Sequence, residues 1–218
     1  MILPAAMGRL ASKLAGKFIV IDGPDGAGKT TQLKMLADHL RRCGVDLVQT
    51  RDPGGTAIGD KIRQVLLDRA NDEMAVTCEV MLYMASRAQL AAEVIAPALR
   101  AGRCVLCDRY VSSTVAYQGA GGADVEAILA AGRIAVGAVW PDLTIILDIE
   151  AEAGLARLKN APDRMEARNL DFHRKVRQLF LKQAGEDPRR FAVVDAAGSP
   201  QHVQQRLREA IEKRNWGE

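Results

Sequence analysis

The run Phe18-Ile-Val-Ile-Asp22-Gly23-Pro-Asp-Gly-Ala-Gly28-Lys29-Thr30 decides how the rest of the chain is read. Its first five residues form a short apolar segment of the kind buried on both faces of a parallel sheet. The next eight satisfy G-x-x-x-x-G-K-[ST]. Leu33, Leu36, Ala37, Leu40 and Cys43 then follow at helical spacing until Gly44. Strand, glycine-rich turn and helix in that order are what a phosphate-binding loop needs. The glycines let consecutive N–H groups converge on phosphate oxygens, and the helix N-terminus adds its positive dipole end. Lys29 reaches the outer phosphates as a point charge, and the Thr30 hydroxyl is suited to ligate Mg²⁺. Gly23, Pro24, Asp25, Gly26, Ala27, Gly28, Lys29, Thr30 and Thr31 are therefore the expected nucleoside triphosphate site.

Outward from this loop the pattern alternates. Apolar strands are expected at 45–50, 104–108, 143–148 and 191–195, with helices around 58–66, 77–87, 124–138, 152–160, 171–184 and 200–213. Pro97 is expected to separate a further short helix ending at Gly102. This alternation predicts an α/β fold, a three-layer αβα sandwich around a five-stranded parallel sheet. Residues 1–16 fall outside the pattern. They are expected to be a disordered extension or a non-native start, with Met7 as an alternative initiator. The domain is expected to occupy 17–213, and 214–218 to be a loose tail.

Composition narrows the class. The chain has 218 residues, 48% of them hydrophobic and 26% charged, a balance that folds rather than staying disordered. A net charge of +3 is too small to imply a nucleic-acid partner, and no apolar window is long enough to span a membrane. Cys43, Cys78, Cys104 and Cys107 lack the regular spacing of a disulfide framework, which suits a reducing, cytoplasmic compartment. Cys104 and Cys107 form a CxxC, but on a strand their side chains point to opposite faces and no second pair completes a metal site. Aromatic residues are only 4% of the chain, so the core must be mainly aliphatic.

Three arginines stand where a second anionic substrate would lie. Arg51 follows the second strand and Arg109 the third, and ligands of parallel sheets sit beyond the carboxyl ends of the strands. Arg87 stands four residues beyond Tyr83 on one helix, hence on the same face. Guanidinium forks suit phosphate oxygens. A phosphate acceptor is already largely ionised near neutral pH, since its second pKa is about 6. Such an acceptor needs no general base, only in-line positioning and charge neutralisation. Asp108, ending an apolar strand, is placed to steady Mg²⁺. Asp52-Pro-Gly-Gly55 formally matches the D-x-x-G of GTPases, but it comes too soon after the loop and no N-K-x-D follows.

Asp22-Gly-Pro-Asp-Gly-Ala-Gly-Lys-Thr-Thr31, Arg51-Asp-Pro-Gly-Gly-Thr56, Tyr83-Met-Ala-Ser-Arg-Ala-Gln89, Asp108-Arg-Tyr-Val-Ser-Ser-Thr114, Ala116-Tyr-Gln-Gly119 and Pro141-Asp-Leu-Thr-Ile-Ile-Leu-Asp148 occur in this order. From residue 17 to about 212 the chain resembles the bacterial-type thymidylate kinases. The resemblance implies transfer of the ATP γ-phosphate to dTMP in a homodimer. It implies that Arg51 and Arg109 hold the dTMP phosphate and that Asp25 approaches the sugar 3′-hydroxyl. Tyr83 would stack on thymine, and Arg87, Ser113, Thr114 and Gln118 would surround the base. Tyr117 would crowd a ribose 2′-hydroxyl. Lys29, Arg109 and an arginine of a small mobile lid at about 157–168 would be catalytic. Gly26 stands where one group of these enzymes has an arginine, so the lid would supply it, as Arg157 or, by preference, Arg164; Lys159 and Arg168 add to the lid's basic character. Tyr83 and Asp52 depart from the usual Phe and Glu, which leaves room for an altered pyrimidine preference. Other nucleoside monophosphate or deoxynucleoside kinases, and an idle nucleotide-binding protein, are the rival readings.

Overall fold

The computed structural model describes residues 4–158 and 163–216. β1 (Phe18–Asp22) lies at the centre of a five-stranded sheet, flanked by β3 (Cys104–Asp108) and β4 (Leu143–Asp148), with β2 (Leu47–Arg51) and β5 (Phe191–Asp195) at the edges. All four pairings are parallel. The register sets Ile21 and Arg51 both opposite Asp108, so the carboxyl ends of β1, β2 and β3 open on one crevice.

Period-two alternation sorts the strand residues into two layers. Ile19 and Ile21 of β1 pack with Leu33, Leu36 and Leu40 of α2 (Lys29–Arg42) and with Val203 and Leu207 of α10 (Pro200–Glu212). Phe18 and Val20 face the opposite way, onto Val80 and Leu90 of α4 (Val76–Leu90) and Ile128 of α7 (Val125–Val136). A third cluster joins Ala116 and Tyr117 of α6 (Val111–Ala120) to Phe172, Val176 and Phe180 of α9 (Leu170–Glu186). Cys104 and Cys107 lie in different clusters, and all four cysteines are free.

Three expectations are corrected. Residues Pro4–Leu14 form a helix, α1, and Leu10 and fully buried Leu14 belong to the core, so this segment is part of the folded domain. Trp216 is not in a loose tail: it packs on the same cluster and donates Nε1–H to the Ile211 carbonyl at 3.1 Å. Pro97 does not break the helix before it. A π-helical turn (Ala91–Ile95) leads from α4 directly into α5 (Ala96–Arg100), whose first turn accommodates the proline. No helix among the described residues is long and apolar enough to cross a membrane.

Candidate active site

A cavity of about 730 Å³ runs from the glycine-rich loop across the ends of β1 and β3 to α4 and α6. Asp25 to Gln32 line one end, Tyr83, Arg87, Ser113, Thr114, Tyr117 and Gln118 the other, and Asp108 and Arg109 lie between them. Sequence-distant predictions thus meet in one space.

The loop's shape depends on glycine at two points. Gly23 has φ 133°, and a Cβ there would lie 2.4 Å from the Leu147 carbonyl oxygen. Gly26 has φ 73°, and its Cβ would lie 1.9 Å from the carbonyl oxygen of Gly154, on α8 (Ala151–Leu155). The phosphate loop is therefore seated against the short helix that leads to Arg157. Lys29 Nζ donates to the carbonyls of Gly23 (2.9 Å) and Pro24 (2.7 Å) and lies 3.9 Å from Asp25. Burial, helped by the positive charge of Arg109, pushes the Lys29 ammonium down to about 8.

Arg109 is the junction of the site. Its backbone is in the left-handed region, φ 64°, a conformation costly for a non-glycine residue and held here by its surroundings. Its N–H donates to Ile21 O at 3.0 Å, Nη2 donates to Asp25 Oδ1 at 2.5 Å, and Nη1 donates to Ser113 Oγ at 3.1 Å. The guanidinium also stacks over the Tyr117 ring, 5.0 Å from its centre. Beneath it, fully buried Asp22 accepts from Ser112 Oγ (2.6 Å), Ser113 Oγ (2.7 Å) and the Gly23 N–H (2.9 Å). Burial raises Asp22 despite those partners. Burial acts in the same direction on Asp25, but Arg109 and Lys29 outweigh it and hold that carboxylate below its ordinary range.

Arg87 is 1% exposed and lines the cavity while being held on three sides. Nε donates to Asp52 Oδ2 at 2.5 Å, and Nη2 donates to Thr114 Oγ1 (2.9 Å) and Tyr110 O (3.1 Å). The aspartate thus reaches Arg87 despite being one methylene shorter than glutamate. Ser113 and Thr114, expected as base contacts, line the cavity but already hold Arg109 and Arg87. Tyr83 lines it too, its phenol pushed up to about 12 by burial. Tyr110 is core: its hydroxyl donates to Val139 O at 3.0 Å and its ring meets Phe18 edge-on.

Two arginines lie elsewhere than expected. Arg51 is exposed, bonded to Asp60 Oδ1 at 3.1 Å, and does not line the cavity. Arg63 lines it instead, with Nη1 on Pro53 O at 3.0 Å. Arg63 stands one turn from Gly59 and Leu66, the buried residues of α3 (Ala57–Leu67), and shares a face with Leu67, but nothing in the local sequence distinguishes it from a solvated arginine. Arg164 is buried against α4 in an ion pair with Glu79, with Nε on Leu66 O at 3.0 Å. Its charge is neutralised away from the cavity lining, so the preference for Arg164 is reversed. Arg157 lines the cavity and donates from Nη1 to Ala196 O at 3.2 Å. Lys159 lies outside the described residues. Arg168 covers the Phe172 ring at 4.7 Å.

The donor set fits a magnesium ion. Asp108 Oδ1 is buried without a hydrogen-bond partner among the described residues, beside the loop bearing the exposed Thr30 hydroxyl. Mg²⁺ typically takes one or two protein oxygens and completes its shell with water and phosphate.

A parallel sheet with a phosphate loop after its central strand and an arginine at the end of the adjacent strand defines a P-loop nucleotide phosphotransferase. The family model described as thymidylate kinase matches residues 21–207. The thymidylate kinase of Pelotomaculum thermopropionicum is 43% identical over 204 residues, covering 92% of this chain and 94% of that protein. That of Geobacter sulfurreducens is 48% identical over 189 residues, covering 83% and 89%. The crystal structure of thymidylate kinase from Ehrlichia chaffeensis superposes with a TM-score of 0.75 at 28% identity, covering 91% of this chain and 99% of that one. The chain belongs to the thymidylate kinase family.

Proposed function

We propose that the chain transfers the γ-phosphoryl group of ATP to dTMP, giving dTDP and ADP, by in-line displacement without a general base. One observation carries this reading: a single cavity joins the phosphate loop to a pocket of Tyr83, Arg87 and Gln118, with Arg109 at the junction. ATP phosphates occupy the loop from Gly23 to Thr31. Arg109 and Arg63, which line the cavity, neutralise the acceptor phosphate. Asp25, fixed by Arg109, is held ionised as an acceptor for the sugar 3′-hydroxyl. Its salt bridge makes it a poor base, and an ionised phosphate nucleophile needs none. Thr30 and Asp108 would hold Mg²⁺, which supplies charge neutralisation between the phosphates. Arg157, which lines the cavity beyond α8, approaches the transferring group.

The homodimer is proposed to form on the helices beside the sheet. The apolar residues Val80, Met84 and Leu90 of α4 face the core, whereas Met81 and, on α7, Ile134 are exposed. An intracellular location accords with the four free thiols. The test is ADP release from Mg·ATP with dTMP, dUMP, CMP, AMP and thymidine as acceptors. Stimulation by dTMP above the others is expected, and none by dTMP rejects the reading.

A further inference from the structure

The buried carboxylate of Glu79 has no part in the chemistry above, yet it touches both the base pocket and the lid segment. Glu79 is 5% exposed on α4, one turn before Tyr83. One oxygen, Oε2, accepts from the side-chain amide Nε2 of Gln118 at 3.1 Å. The other, Oε1, accepts from Arg164 Nη1 in the buried ion pair. Arg164 in turn ties down the Leu66 carbonyl at the end of α3.

A carboxylate only accepts hydrogen bonds, so it dictates which way the Gln118 amide lies. With NH₂ turned to Glu79, the Gln118 carbonyl is the group left for the cavity, and among the described residues Oε1 takes no other hydrogen bond. A carbonyl accepts from a base that carries N–H at N3, as thymine and uracil do. It repels cytosine, whose N3 is itself an acceptor. An amide free to turn over would present a donor there and lose that distinction. A site built around buried polar groups discriminates strongly because the wrong ligand leaves them unpaired.

We propose that Glu79 is a positioning residue that sets pyrimidine specificity, by locking the Gln118 amide with its carbonyl toward the base. The inference rests on the reading that Gln118 faces the base.

The test compares kcat/KM for dTMP and dCMP in the full chain. Glu79→Gln offers Gln118 either a donor or an acceptor, and the dTMP:dCMP ratio falls at least tenfold, chiefly through KM. Arg164→Gln leaves the carboxylate on Gln118, and the ratio stays within twofold of the parent even where both rates fall. A merely structural role for Glu79 lowers both rates together. An unchanged ratio in folded Glu79→Gln, or an equal loss in Arg164→Gln, overturns the proposal. Should Glu79→Gln not accumulate folded, the double variant Glu79→Met with Arg164→Met replaces the ion pair by apolar volume, an exchange proteins often tolerate. It too must lose the ratio, and retention of the ratio overturns the proposal. Gln118→Ala separates the two ideas: undiminished dTMP turnover removes Gln118 from the base pocket. A loss there with discrimination intact in Glu79→Gln removes only the role of Glu79.

Discussion

Lys29 shows how one residue couples the fold to nucleotide binding. In the free protein its ammonium is solvated by two loop carbonyls, and burial beside Arg109 brings it down to about 8. Phosphate oxygens raise that value on binding, because opposite charge favours the protonated form. The complex then holds more protons than the free protein above pH 8, so ATP affinity falls as pH rises through that range. Calorimetry in buffers of different ionisation enthalpy should show proton uptake on Mg·ATP binding at pH 8.5 and little at pH 6.5. Equal uptake at both would contradict the assignment. At Arg157, replacement by Ala is expected to lower kcat by about a hundredfold, the scale for one transition-state charge donor, with KM for dTMP within twofold. In steady-state assays Arg164→Ala should instead raise KM for dTMP. The reverse pattern restores Arg164 as the phosphoryl contact.

Among the elements, the least legible was α6. Its sequence Val-Ser-Ser-Thr-Val-Ala-Tyr-Gln-Gly-Ala contains β-branched and hydroxyl residues with weak helix preference and no one-sided apolar stripe. Eight of its ten residues, Val111 to Gln118, are buried, because it packs between α4, α7 and α9 and spends its hydroxyls on Asp22, Arg87 and Arg109. Tertiary satisfaction of those groups overrides local propensity. At α1, Leu10 and Leu14 make a testable difference. Burying a leucine contributes about 1.5–3 kcal/mol, so removing residues 1–16 should lower unfolding free energy by roughly 3–6 kcal/mol. Denaturant titration of the truncated chain measures it, and an unchanged midpoint would mean α1 lies outside the cooperative unit. The contact between Gly26 and α8 makes a further prediction. Gly26→Ala places a methyl group against the Gly154 carbonyl, forcing the loop off α8, so kcat/KM for ATP should drop at least tenfold while the far-ultraviolet circular dichroism is retained. A near-normal value would show that loop and helix part freely.

For the molecule as a whole, one cavity is proposed to receive both substrates, so each should stabilise the native state by mass action. A free ligand at 100 times its Kd adds about 2.7 kcal/mol. Thermal unfolding with Mg·ADP, with dTMP and with both checks this, and dTMP without effect would contradict a preformed acceptor pocket. The sheet, its parallel sense and the phosphate loop were legible in the chain because they rest on local patterns. Strands β1, β3, β4 and β5 begin and end where apolar runs do, and the Gly23–Thr30 motif carries its chemistry in consecutive residues. Strand order, and with it the convergence of Asp22, Asp108 and Arg109, is a matter of register between distant segments. So is the fate of each charged side chain. Arg51, Arg63, Arg157 and Arg164 look alike in sequence, each an arginine beside a motif. Which of them faces the cavity depends on where the nearest carboxylate lies. Asp60 captures Arg51 and Glu79 captures Arg164, whereas nothing in the local sequence links either pair across 9 and 85 residues. Local periodicity and motif chemistry determined what kind of protein this is. Only the tertiary structure decided which charges are spent holding it together and which remain for the substrates, because neutralisation requires contact and contact is set by the fold.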